Sequence, residues 1–189
     1  MLLRRETPSD IPAVRRLVTE AFAVDPRTGQ SVEGEPVEVR LLDQLRASDA
    51  WMPPLSWVAV DGKEVLGYAV CTRAHVDGTA VVGLGPIGVQ PKRQRAGVGS
   101  ALMHALLGAG DALDVPLVGL LGDPAYYGRF GFRPSADLAI LPPDPAWGDY
   151  FQVRALSAHS VELAGTFAYS RAFDDLEESG HEVARCVTS

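Results

Sequence analysis

No apolar run in the sequence approaches the roughly 18 residues that a membrane-spanning helix needs. The opening residues, Met1-Leu2-Leu3-Arg4-Arg5-Glu6-Thr7-Pro8, lack the long apolar segment that directs export. Both absences point to a cytoplasmic protein with no membrane partner. Cysteine is scarce as well. Cys71 and Cys186 lie far apart and without metal-ligand spacing, which argues against a disulfide framework or a metal site and for two small buried hydrophobes. Of the 17 basic residues only Lys63 and Lys92 are lysines, and the 24 acidic residues bring the net charge to -7. That balance disfavours nucleic acid, whose backbone is met by clustered cations. A cationic small molecule fits better, although a moderate negative charge also serves solubility. There is no internal repeat and no low-complexity tract.

What is present is enough for one core: 189 residues, 47% of them hydrophobic. The reading is a single domain over 1–189, with a core at 1–135 and a C-terminal segment of further strands at 136–189. Leu2 to Arg5 suits a short strand, and Thr7-Pro8-Ser9-Asp10 supplies caps for a helix carrying Ile11, Val14, Leu17, Val18, Ala21 and Phe22. Asp25 to Pro36 reads as a loop, and Val37, Leu41, Leu42 and Leu45 mark a second helix. Leu55 to Val60 and Val65 to Arg73 form a hairpin across Asp61-Gly62-Lys63-Glu64. Ala80 to Val89 is a fourth strand, and Gly83, Gly85, Pro86 and Gly88 make it irregular near its end. Helical spacing of Val98, Ala101, Leu102, Ala105, Leu106 and Ala109 predicts a third helix, and Val115 to Leu121 a buried strand. Asp123 and Pro124 open a short helix that Gly131 stops. Further strands are expected at Leu138 to Leu141, Phe151 to Ala155 and Val161 to Tyr169.

The most informative stretch runs from Val89 to Ser100, between a strand and a helix. Amides at a helix N-terminus point outward without partners, and Gly97 and Gly99 let an anion approach the main chain. Arg93 and Arg95 add charge-assisted contacts to phosphate oxygens. Helix packing alone is the plainer account of the two glycines. A Walker A loop is excluded because Gly99 is followed by Ser100 and Ala101 rather than by Lys. Gly83-Leu84-Gly85-Pro86-Ile87-Gly88 formally matches a dinucleotide fingerprint, the basis of a rival oxidoreductase reading, but extended residues and Pro91 follow where a helix should start.

Gln94-Arg95-Ala96-Gly97-Val98-Gly99 fits the signature of the GNAT superfamily of N-acetyltransferases, and Tyr127-Gly128-Arg129-Phe130-Gly131-Phe132 resembles the family's second signature, a Tyr three residues before Gly-Phe. Leu84 to Val89 and Gly122 to Tyr127 resemble its bacterial YhbS-like branch. The resemblance covers Leu2 to about Phe132, with a fainter match near Gly165 to Phe173. It implies an α/β (α+β type) fold, with a mixed, mostly antiparallel central sheet flanked by helices, whose fourth and fifth strands splay apart. It also implies an enzyme that moves an acetyl group directly from acetyl-CoA to a primary amine of a small molecule or protein, needs no metal, and is compatible with a homodimer. An inactive acyl-CoA-binding module is the alternative. By the resemblance, Ile87, Gly88 and Val89 face the pantetheine and thioester, and Gln94, Arg95, Ala96, Gly97, Val98, Gly99 and Ser100 hold the pyrophosphate. Where many members carry an Asn ahead of the Tyr helix, this chain has Gly122-Asp123-Pro124.

Thioester aminolysis needs a neutral amine, a stabilised oxyanion and a proton for the thiolate. The resemblance makes Tyr127 the acid, with a packed core aromatic as the alternative, and assigns the oxyanion to a fourth-strand amide near Ile87 or Gly88. Tyr126 does not match the motif and reads as packing. A free amine of pKa about 10.4 is almost wholly protonated near neutrality, so a base is expected. By the resemblance, Glu33, Glu35 and Glu38 lie on or near the helix region that borders the acceptor site, and Glu38 fits that helix best; solvated surface charge is the plainer reading of each. His75 is a weaker candidate, and His104 faces solvent.

Overall fold

The capping residues before the first helix act together. In the computed structural model, which describes residues 1–24 and 29–173, the Thr7 hydroxyl and N–H donate to Asp10 Oδ2 at 2.7 and 2.8 Å. The Arg4 guanidinium donates to both Asp10 oxygens at 2.6 and 2.7 Å. This fixes the turn from β1 (Leu2–Arg5) into α1 (Ile11–Ala21), which buries Val14, Leu17, Val18 and Ala21 as one stripe. α2 (Val37–Ala47) is wedged between two clusters, giving Val39 and Leu42 to the α1 side and Val37, Leu41 and Leu45 to Ala172 and Phe173.

β2 (Ser56–Asp61) and β3 (Glu64–Val76) form the expected hairpin, closed at Gly62 with a φ of 56°. β4 (Thr79–Val89) returns antiparallel along β3, and α3 (Val98–Asp111) leads to β5 (Leu117–Leu121). α4 (Pro124–Tyr127) begins at Asp123, whose carboxylate accepts from Ala125 N–H at 2.9 Å. A 3-10 turn over Gly128–Phe130 ends at Gly131, with a φ of 81°. β6 (Arg133–Pro134), β7 (Ile140–Leu141), β8 (Phe151–Ala155) and β9 (Gly165–Ala168) complete a sheet of order β1-β2-β3-β4-β5-β8-β6, with β9 joining the end of β3 and β7 pairing with β9. Among the described residues only β4–β5 and β7–β9 are parallel. No helix among the described residues is long and apolar enough to cross a membrane.

Alternation along the strands assigns the two faces. A Cβ on Gly67 would meet Val98 and Leu102 of α3, whereas one on Gly88 would meet Leu17 and Ala21 of α1. Thus α1 covers one face and α3 the other. Cys71 is buried, which pushes its thiol up to about 12; Cys186 lies outside the described residues.

Three expectations change. β3 runs on to Val76, so His75 lies within the strand, exposed, opposite Ala80 and Ala168. The strand expected at Leu138 to Leu141 shrinks to Ile140–Leu141, because Leu138 closes a 3-10 turn and Ala139 is left-handed. The strand expected at Val161 to Tyr169 shrinks to Gly165–Ala168, and Val161 is exposed. Both segments are ordered through β3: Asp77 accepts from Thr166 N–H at 3.1 Å, and Asp77 N–H donates to the Thr166 carbonyl at 3.2 Å.

Candidate functional site

β4 and β5 meet only at Val82 with Val118 and at Gly83 with Gly119. Beyond that point β5 keeps to β8, while β4 stays with β3 as far as Val89. The two strands therefore diverge, as expected. The β4 bulge is also where glycine and proline predict it: Ile87 faces Ala69 and Leu84 faces Cys71, so Gly85 and Pro86 together oppose Val70. Pro86 has no N–H to give the ladder.

At the open end of β4 the chain turns into α3. Gln94 Nε2 reaches back to the Val89 carbonyl at 3.5 Å, Arg95 takes a left-handed φ of 59°, and Gly97 caps the helix at a φ of 83°. The first bond of α3 runs from Ala101 N–H to the Gly97 carbonyl at 3.0 Å, and no side chain caps this end. Helix geometry leaves the amides of Val98, Gly99 and Ser100 without acceptors inside the helix. The two glycines have different reasons. At Gly97 a Cβ would meet nothing within 4 Å, so the backbone angle is the constraint; at Gly99 a Cβ would lie 2.9 Å from the Tyr126 hydroxyl.

The turn opens on a pocket of about 400 Å³. Val89, Gln94, Arg95, Gly97, Gly99 and Ser100 line it. Ala96 points to solvent outside it, and Val98 is buried in the core beneath. Arg93, Tyr126 and Arg129 also line it. Tyr126 packs against the core, as expected, and also forms a wall of this pocket. It is half-buried, lies beside the Ser100 side chain, and carries the Arg129 guanidinium 4.6 Å over its ring. Desolvation raises its pKa, opposed by Arg129 and Ser100. The sequence signal for both residues is their i, i+3 spacing across α4 and the 3-10 turn that continues it, whose face only the fold orients toward α3.

Tyr127 points the other way, fully buried, in one cluster with Ile87, Val89, Val98 and Phe130. Its ring meets Tyr126 edge-on at 4.9 Å and Phe132 at 5.8 Å. The structure therefore gathers Tyr127, Ile87 and Val89 on the α3 face, with Gly88 turned to the α1 face. Gln152, buried on β8, donates from Nε2 to the Gly122 carbonyl at 2.9 Å and holds the chain where β5 passes into α4.

Glu38 lies on the α1/α2 side, in the first turn of α2, and is only 3% exposed, so surface solvation does not describe it. Glu33 and Glu35 are exposed, and Glu35 accepts from Arg15 at 2.7 Å. His104 is exposed on α3 beside Phe130. Among the described residues no cluster of three or more His, Cys, Asp or Glu is placed to hold a metal ion.

Residues 54–134 match the acetyltransferase (GNAT) domain family. Over 178 residues the chain is 29% identical to the uncharacterized N-acetyltransferase YhbS of Escherichia coli strain K12, covering 92% of this chain and 99% of the relative. The crystal structure of a YhbS from Escherichia coli in complex with CoA superposes with a TM-score of 0.78 at 27% identity, over 92% of this chain and 91% of that one. A GNAT family acetyltransferase from Brucella melitensis, crystallised with acetyl-CoA, gives a TM-score of 0.71 at 31% identity, over 92% and 97% of the two chains.

Proposed function

The chain belongs to the GNAT acetyltransferases, and from that premise we propose that it transfers the acetyl group of acetyl-CoA directly to a primary amine in the opening between β4 and β5. The observation that carries this reading is the coincidence of two features: strands that part after Gly83, and a pocket at the α3 N-terminus beside the end of β4. A pyrophosphate at the Gln94–Ser100 turn accepts the free first-turn amides, with Arg93 and Arg95 adding charge. The pantetheine then runs along Ile87 and Val89, and the thioester lies near Tyr127.

In the reaction the amine nitrogen attacks the thioester carbonyl, a C–N bond forms, and the carbonyl oxygen becomes an oxyanion. An unpaired β4 amide near Ile87 or Gly88 suits that oxyanion, because nothing from β5 bonds to β4 past Gly83. Collapse breaks the C–S bond, the Tyr127 hydroxyl protonates the thiolate, and a base takes the proton lost by the amine. Glu38, buried in the first turn of α2, fills the base role in this reading. The setting is cytoplasmic.

The test is a calorimetric titration of the protein with acetyl-CoA, followed by an amine screen that detects free thiol. Micromolar binding and thiol release with at least one amine are expected. A folded protein that does not bind acetyl-CoA overturns the reading.

A further inference from the structure

One cation of the pocket is left over from the phosphate turn. Arg129 reaches the pocket from the α4 side, facing the turn that carries Arg93 and Arg95. Its guanidinium carbon sits 4.6 Å over the Tyr126 ring and 6.0 Å from the centre of Phe130. The Tyr126 hydroxyl approaches Gly99 and Ser100, so one ring supports this guanidinium on its face and borders the first turn of α3 with its edge. Among the described residues no carboxylate pairs with Arg129, whereas Arg93 approaches Glu64 at 3.9 Å. A guanidinium braced on a ring loses little freedom when it meets an anion, and its planar fork suits a phosphate.

CoA carries, besides its pyrophosphate, a phosphomonoester on the ribose, close to doubly charged at neutral pH. With the thioester directed toward Ile87 and Val89 and the pyrophosphate at the turn, the adenosine end projects out of the pocket mouth, where Arg129 stands. We propose that Arg129, braced on Tyr126, holds the ribose 3′-phosphate and makes the protein selective for CoA over 3′-dephospho-CoA. This inference rests on the CoA reading above. It adds a specificity residue that neither signature assigns, since the Gly-rich turn accounts only for the pyrophosphate.

The experiment titrates CoA and 3′-dephospho-CoA into the wild type, Arg129→Ala and Arg129→Lys, each checked for folding by circular dichroism. The wild type should favour CoA by about tenfold, the scale of one charge-assisted phosphate contact. Arg129→Ala should abolish that preference by weakening CoA alone, and Arg129→Lys should keep part of it. Parallel losses for both ligands would assign Arg129 to the pyrophosphate or the adenine and overturn the proposal. Unchanged affinities in Arg129→Ala would overturn it too. Failure of the wild type to bind either ligand would instead bring down the CoA reading itself, and the proposal with it.

Discussion

At the scale of single residues, adjacent tyrosines do separate work. Tyr127 faces the interior with Ile87 and Val89, and Tyr126 faces the pocket at the α3 N-terminus. Replacing Tyr127 with Phe keeps the ring packing and removes only the hydroxyl. Turnover should fall on the order of 10²-fold, the usual contribution of a general acid, with CoA affinity nearly unchanged. Paired measurement of kcat and of the dissociation constant for CoA checks this; equal losses in both would make Tyr127 a packing residue. For Tyr126 the informative partner is Gly99. A Cβ there lies 2.9 Å from the Tyr126 hydroxyl and 3.6 Å from Val89, so Gly99→Ala should push the tyrosine out of place and weaken CoA binding. Tyr126→Phe removes the atom that the new methyl meets. The double variant should therefore bind CoA more tightly than Gly99→Ala alone, a coupling that a double-mutant cycle reads directly. Additive losses would mean that the methyl acts on the phosphate instead.

At the scale of elements, the junction of β1 and α1 depends on one carboxylate. The Arg4 hydrogen bond, then the Thr7 donors, hold Asp10 well below the usual carboxylate range. A depressed folded-state pKa adds stability that is complete above the unfolded value of about 3.9 and is lost as pH falls toward the folded one. Asp10→Asn should thus melt lower than the wild type at neutral pH, and the gap should narrow progressively below about pH 4. A constant gap across that range would mean that the charge of Asp10 contributes nothing. Such local devices are what a sequence displays most openly, and so Thr7 to Asp10, the Gly62 turn, the Asp123 cap and the strong periodicities of α1 and α3 were all legible. Elements whose order comes from distant partners were not. β7 and β9 exist because β9 docks on His75 and Val76 of β3, more than 80 residues away in the chain, as the register of His75 with Ala168 shows. The same holds for the site. Its turn residues are contiguous and were readable; Tyr126 and Arg129 join it only because α4 packs beside α3, and the burial of Glu38 only because α2 is wedged between two clusters.

At the scale of the whole molecule, the parting of β4 from β5 makes an opening through the sheet, whose two faces belong to different helices. Tyr127 and the Gln94–Ser100 turn lie on the α3 face, while Glu38 lies on the α1/α2 face. A donor entering along α3 and an acceptor entering along α2 can then occupy the opening together without competing for one surface. The alternative route, a covalent acetyl-enzyme, needs a nucleophile at the opening. Cys71 is the one cysteine among the described residues, and it is buried, its thiol pushed up to about 12 by desolvation, far from the thiolate form at neutral pH. Direct transfer therefore predicts intersecting lines when initial rates are measured against both substrates, the pattern of a ternary complex. It also predicts that incubation with acetyl-CoA alone leaves the intact mass of the protein unchanged. Parallel lines together with a mass gain of one acetyl group would point to a ping-pong route. Mapping the acetylated residue would then decide whether the nucleophile lies on the α3 face with the donor or across the sheet with the acceptor.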